Sequence, residues 1–323
     1  FGSRIVWPCW RNMLRTSRAL FRVWVDSPSG VAARLPDLLC ERFIAADFEG
    51  VHWGRWGEIC LAQIATPSNV FIFDTLVPGV LKALAPVLES RVPVKVIHDC
   101  REDASALANA GVKLSGVYDT QAAHSLLLVR DCQSPYQIAL DELLIKTVGT
   151  ANRHSKQVDR WIRSDPRLWR YRPLSEPLLD YATQDVQALL DVRAKMCSIL
   201  RDPTMRHVLQ VSDRFLQYAS MNMHLTSTKS LFQKGLRVEA MLATVTPTAM
   251  YFKLNCGLVA VACSKIAMES LKSTQVGEIV PCLVTDWDED QEIVYIQKLA
   301  ALGGNRLSST KPVFPGMART PEK

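Results

Sequence analysis

Residues 42–121 constrain the fold most strongly, because strand-length apolar runs first follow one another closely and then alternate with helix. The runs at 42–48, 59–65 and 70–74 are each short enough for a buried strand. A glycine-marked turn, Gly50 to Gly57, separates the first two. A helical pattern over 80–90 precedes an apolar run at 94–97, a helix over 102–110 closed by Gly111, and a short strand near Val117. Three strands, then alternation, then mostly helix to about residue 222 predict an α/β fold, a mixed sheet flanked by helices.

At 323 residues the chain exceeds one ordinary domain, and its patterning changes near Thr226 to Ser230. Beyond that point, 232–299 reads as several short strands, with turn signals at Gly235, Thr246-Pro247, Asn255-Cys256-Gly257, Gly277 and Asp286 to Asp290. This predicts a small all-β barrel over 231–300. An irregular tail is expected over 301–323, where Gly303-Gly304, Pro312, Pro315 and Pro321 interrupt any periodicity. The longest apolar runs fall far short of the roughly 18 residues of a membrane-spanning helix, so no membrane partner is expected. Nine cysteines without a C-x-x-C pair argue against structural zinc and a disulfide framework, which suits a reducing compartment.

The net charge of +6 is unevenly spread. Residues 1–34 hold Arg4, Arg11, Arg15, Arg18, Arg22 and Arg34 against Asp26 alone, and 1–38 reads as a basic N-terminal extension. Its Arg-rich, acid-poor composition matches a mitochondrial import segment. A cytoplasmic protein with a basic arm lying on RNA or on a partner would have the same composition.

Within the α/β region, 39–224, three elements carry carboxylates. Asp47 and Glu49 end the first strand two residues apart and so share a face of the sheet. Alone this spacing carries little information, and Asp290-Gln-Glu292 repeats it in a polar turn. His98-Asp-Cys-Arg-Glu-Asp103 follows the strand at 94–97 and puts Asp103 in the first turn of the next helix. In Tyr181-Ala-Thr-Gln-Asp185, the i, i+4 spacing sets a phenol and a carboxylate on one helix face.

Asp47-Phe-Glu49-Gly50, Lys95 through Asp103, Tyr118-Asp-Thr-Gln121 and Arg172-Pro-Leu-Ser175 through Asp185 resemble the motifs of the DEDDy 3′-to-5′ exonucleases. The RNase D-like branch that includes Egalitarian and the piRNA-biogenesis exonuclease-like protein is most similar. The resemblance covers roughly residues 40–200 and implies an RNase H-like fold. It implies that Asp47, Glu49 and Asp185 hold one Mg²⁺ or Mn²⁺, that Asp47 bridges to a second, and that Asp103 supports the site directly or through water. Tyr181 would orient the attacking water. Two such ions stabilise the attacking and leaving oxygens of a phosphoryl displacement, and hard cations need oxygen ligands. For His98 a structural hydrogen-bonding role is favoured over metal ligation.

A second candidate surface comprises Arg153, Lys156, Arg160, Arg163, Arg167, Arg170 and Arg172 with Trp161 and Trp169, opposed by Asp159 and Asp165. It reads either as a nucleic-acid grip with stacking platforms or as a solvated helix face with inward tryptophans. The barrel segment resembles an S1-type OB domain through Lys234 to Ala240, Tyr251 to Leu254, Gly257 to Val261 and 276–284. There Arg237, Tyr251, Phe252 and Lys253 are candidates for RNA contact. The first functional reading is a metal-dependent exoribonuclease that trims single-stranded RNA from its 3′ end and releases nucleoside 5′-monophosphates. The alternative is a non-catalytic RNA-binding or scaffold subunit of a ribonucleoprotein, such as a mitochondrial ribosome or its assembly intermediate, docking on mitoribosomal proteins.

Overall fold

The computed structural model describes residues 21–299 except 53, 203 and 204. The tail 301–323 and Arg4, Arg11, Arg15 and Arg18 of the basic segment lie outside the described residues. The chain runs β1 (Phe21–Val25), α1 (Pro28–Leu39), β2 (Phe43–Val51), β3 (Glu58–Ala65), β4 (Asn69–Asp74), α2 (Val80–Ala83), α3 (Ala85–Leu88), β5 (Val94–Ile97), α4 (Arg101–Asn109) and β6 (Val117–Asp119). It continues as α5 (Thr120–Arg130), α6 (Leu140–Val148), α7 (Ser155–Ser164), α8 (Glu176–Gln187), α9 (Leu189–Leu200) and α10 (Arg206–Leu216).

These strands form one mixed sheet in the order β1-β4-β3-β2-β5-β6. β2, β3 and β4 pair antiparallel, and β5 and β6 add parallel on the other side of β2. The arrangement is consistent with the RNase H-like fold that the motifs imply. β2 is the central constraint: between its neighbours Ala45, Ala46 and Phe48 are almost wholly buried. Its far end bulges at Glu49/Gly50, and a Cβ on Gly50 would lie 2.1 Å from the Glu58 carbonyl oxygen. Only glycine lets β3 approach there.

The boundary drawn at residue 38 is corrected. Phe21–Val25 pairs parallel with β4 at the sheet edge, and α1 starts on a Ser27 N-cap that accepts from Gly30 N, with Pro28 in the first turn. In β1 only Val25 is buried, so an edge strand carrying Arg22 shows no clear apolar alternation. The helix expected over 80–90 is divided into α2 and α3 at Leu84, just before Pro86.

Residues 237–298 form a closed five-stranded barrel, β7 (Arg237–Val245), β8 (Met250–Lys253), β9 (Val259–Ala262), β10 (Ile279–Asp288) and β11 (Ile293–Lys298). Around the barrel the order is β7-β8-β9-β11-β10, with β9 and β11 parallel. The expectation of an all-β unit missed one helix, α11 (Lys265–Leu271), capped by Ser264 between β9 and β10. Phe252, offered above as a stacking residue, is fully buried in the barrel core instead.

Candidate active site

Asp47 and Glu49 project from the same face of β2, as alternate residues of a strand must. Helix α8 packs across β2 and β3 and carries Tyr181 and Asp185 one turn apart. Carboxylate oxygens of Asp47, Glu49 and Asp185 come within 4.8 Å of one another. Asp103, in the first turn of α4, is outside that group but faces Asp47 closely enough to repel it. Among the described residues, no Lys, Arg or His forms an ion pair with any of the four.

Burial is the main cause of their unusual acidity. It pushes the Asp47 carboxyl well up, and Asp185 adds to the effect. Glu49 is raised by burial, then by Asp47, Asp185 and Asp103. Burial also raises Asp103, helped by Asp47, Asp99 and Glu102. Asp185 is lifted to about 7, because burial outweighs hydrogen bonds from Asn152 and Tyr181. Like charges held this close in low dielectric favour either protons or a cation among them.

The donor set fits divalent metal. It consists of oxygens alone, as Mg²⁺ and Mn²⁺ prefer, and it lacks a protein cation. Tyr181 remains a phenol, since burial and then Glu49, Asp185 and Asp47 drive its pKa far above the ordinary value. It is thus a permanent hydrogen-bond donor beside the carboxylates.

Asn152 escaped the reading from sequence. Its Nδ2 donates to Asp185 Oδ1 and to the Tyr181 carbonyl, both at 2.9 Å, so one amide fixes the carboxylate and the turn that carries the phenol. It sits in a polar loop after α6, and no local spacing links residue 152 to 185. Gln63 also went unnoticed: it stands across from Asp47 on the same face of the sheet, fully buried. Its side-chain amide has no hydrogen-bond partner among the described residues.

His98 has the structural role favoured from sequence. Its Nε2 lies 3.0 Å from the Ile138 carbonyl and so donates to it, while Nδ1 meets the Thr120 hydroxyl at 2.8 Å. In the Tyr118-Asp-Thr-Gln121 motif, Asp119 caps α5 and accepts from Asp99 N and Cys100 N, which secures the approach to α4.

The basic and aromatic surface divides. Trp169 is 1% exposed and packs with its ring centroid 6.2 Å from that of Tyr181, so it cannot serve as an open stacking platform. Arg172 grips Asp74 through both carboxylate oxygens, at 2.7 and 2.8 Å, and also donates to the Cys60 carbonyl. It ties the approach to α8 to the sheet and is not free for phosphate. Arg153 pairs with Asp180, Arg167 with Asp165 and Arg170 with Glu58. Trp161 is half-buried against the core. Lys156, Arg160 and Arg163 are exposed on α7 and form no ion pair with described residues, while Val158 anchors that helix.

Residues 23–201, more than half the chain, match the 3′-5′ exonuclease family model. The piRNA biogenesis protein EXD1 of Mus musculus is 32% identical over 178 residues, covering 52% of this chain and 30% of that protein. Ribonuclease D of Gluconacetobacter diazotrophicus is 33% identical over 185 residues, covering 56% of this chain and 44% of that protein. The chain therefore aligns with less than half the length of these relatives. The crystal structure of Trypanosoma brucei RNase D superposes with a TM-score of 0.55 at 25% identity, covering 62% of this chain and 74% of that one. With its carboxylates gathered on β2, α4 and α8, the chain belongs to the 3′-5′ exonuclease family, related to RNase D and EXD1.

Proposed function

We propose that this chain is an exoribonuclease of the DEDDy type that removes nucleoside 5′-monophosphates one at a time from the 3′ end of single-stranded RNA. The observation that carries the reading is the group of partly buried Asp47 with buried Glu49 and Asp185, within 4.8 Å and without an ion-paired cation among the described residues, beside the Tyr181 phenol. Asp47, Glu49 and Asp185, with Asp103 in support, would hold two divalent cations, Mg²⁺ or Mn²⁺. Bound divalent cations supply charge neutralisation of the attacking and leaving oxygens.

The protein's own groups do the rest. The Tyr181 hydroxyl, which donates to Asp185, accepts from the attacking water and so orients it against the terminal phosphorus, and Asn152 keeps Asp185 from turning away. The water oxygen joins phosphorus, the bond to the 3′ oxygen breaks, and a proton reaches that oxygen to leave a new 3′-hydroxyl. Lys156, Arg160 and Arg163 hold the phosphates of the incoming strand at the rim. RNA is preferred over DNA as substrate because the relatives include enzymes named for ribonuclease activity.

The barrel reads as an OB-type module. What supports this is its strand order, first-second-third-fifth-fourth, with a helix between the third and fourth.

Single-stranded RNA labelled at either end and incubated with Mg²⁺ or Mn²⁺ tests the reaction. The 3′ label is expected to appear at once as mononucleotide, while the 5′-labelled strand shortens stepwise. Early release of the 5′ label, or no cleavage with either ion, would overturn the proposal.

A further inference from the structure

The C-terminal barrel docks on the segment that presents Asp103. Lys253 on β8 reaches Glu102 Oε1 at 3.3 Å and Asp99 Oδ2 at 3.7 Å, and its side chain is 19% exposed. Gln137 Nε2 donates to Asp99 Oδ2 at 2.7 Å, while its backbone N donates to the Thr244 hydroxyl of β7. Tyr218 donates to Glu102 Oε1 at 2.9 Å. From the β2–β3 turn, Arg55 donates to the carbonyls of Asn222 and Met223, and the Asn222 side chain bonds Glu239 and Leu254 of the barrel.

Glu102 is thus gripped from several sides. It also fills the space beside Gly54, where a Cβ would come within 2.5 Å of Glu102 Oε2. Asp99 and Glu102 are not in the carboxylate group of the active site, but they lie on the segment that leads into α4 and to Asp103. Without Lys253, Arg101 would be the cation left facing this acidic segment among the described residues. Lys253, read from the sequence as a phosphate contact, is occupied by these two carboxylates.

We propose that Lys253 is a positioning residue for the exonuclease site: from the barrel it holds Asp99 and Glu102, and so sets the start of α4 that aims Asp103 at Asp47. The inference rests on the metal-dependent reading above. It makes the barrel a working part of the site and not a detachable RNA-binding accessory.

The test is Mn²⁺ titration of the full chain, followed by electron paramagnetic resonance, on the wild type, Lys253→Met and Lys253→Arg. Lys253→Met is expected to keep its circular dichroism and to need about tenfold more Mn²⁺ for half-saturation, the scale on which residues supporting metal ligands act. Lys253→Arg, which keeps the charge, should recover most of that loss, whereas a purely space-filling role would be met equally by Met. If Lys253→Met does not fold, Lys253→Gln takes its place with the same expectation. A folded Lys253→Met or Lys253→Gln with the wild-type Mn²⁺ midpoint overturns this inference. A wild type that binds no Mn²⁺ overturns the metal reading itself.

Discussion

Glu102 and Asp103 are neighbours in sequence, yet they belong to two acidic clusters with opposite electrostatics. Asp103 faces Asp47 beside the group of Asp47, Glu49 and Asp185, where burial first, and neighbouring carboxylates after it, raise each carboxyl, and no cation among the described residues pairs with them. Glu102 joins Asp99, where Arg101 and Lys253 stand among the carboxylates. Burial pushes Asp99 up, but Arg101 and then Lys253 outweigh it and hold its carboxyl below the ordinary range. One cluster carries its own cations and is structural. The other has no such cation among the described residues, and on the proposed reading it takes divalent cations from solution.

The strongest way to break this comparison is to remove one charge from each side. Asp185→Asn keeps the side-chain shape, and turnover should fall on the order of 10²–10³-fold. The chelated variant should nevertheless melt no lower than the chelated wild type, since a repelling charge has gone. Unchanged hydrolysis, or a lower melting point in chelator, would refute the first half of the contrast.

Asp99→Asn should act in the opposite sense. It leaves Arg101, 1% exposed, without its carboxylate partner, whose Oδ2 lies 2.8 Å from the guanidinium. Breaking such a pair costs about 3 kcal/mol, readable as a lower urea midpoint with or without metal. A variant as stable as wild type would place Asp99 outside the structural cluster.

Acidity separates the clusters more gently. Asp185 is raised from 3.8 to about 7, so its contribution to stability is whole below the ordinary carboxylate range and is lost as pH rises through about 7. The chelated protein should therefore melt about 5 °C lower at pH 8 than at pH 5, and saturating Mn²⁺ should cancel that drop. Asp99 is lowered, so its contribution is present above the ordinary range and is lost only as pH falls below it. A chelated melting point that stays flat or rises over the same interval would contradict the assignment.

The smallest effect concerns the exposed cations on α7, the helix whose Asp159 also acts on Glu49 and Asp185. Replacing Lys156, Arg160 and Arg163 together by Gln should lower the slope of log affinity for single-stranded RNA against log salt by about 2, at about 0.7 per contact. Salt titrations of binding in chelator, where no turnover occurs, would measure it. An unaltered slope would make this face a solvated one.

Much of the site was legible because it is written in local periodicity. The strand runs at 59–65 and 94–97, the alternation that pairs Asp47 with Glu49 and the helical spacing of Tyr181 and Asp185 all follow from backbone geometry within a few residues. Local spacing cannot say which long side chain finds which partner. Trp169 and Arg172 share a basic stretch with Arg160 and Arg163, and only packing decided that the first pair turns inward and the second outward. β1 was hidden because an edge strand buries little and so leaves a weak pattern. Residue types and short-range spacing, with the motif resemblance they carry, pointed to the fold class and to Asp47, Glu49 and Asp185. Tertiary structure alone decided the hold of Asn152 on Asp185 and the reach of Lys253 to Glu102, because contacts across 33 and 151 positions depend on how whole elements dock.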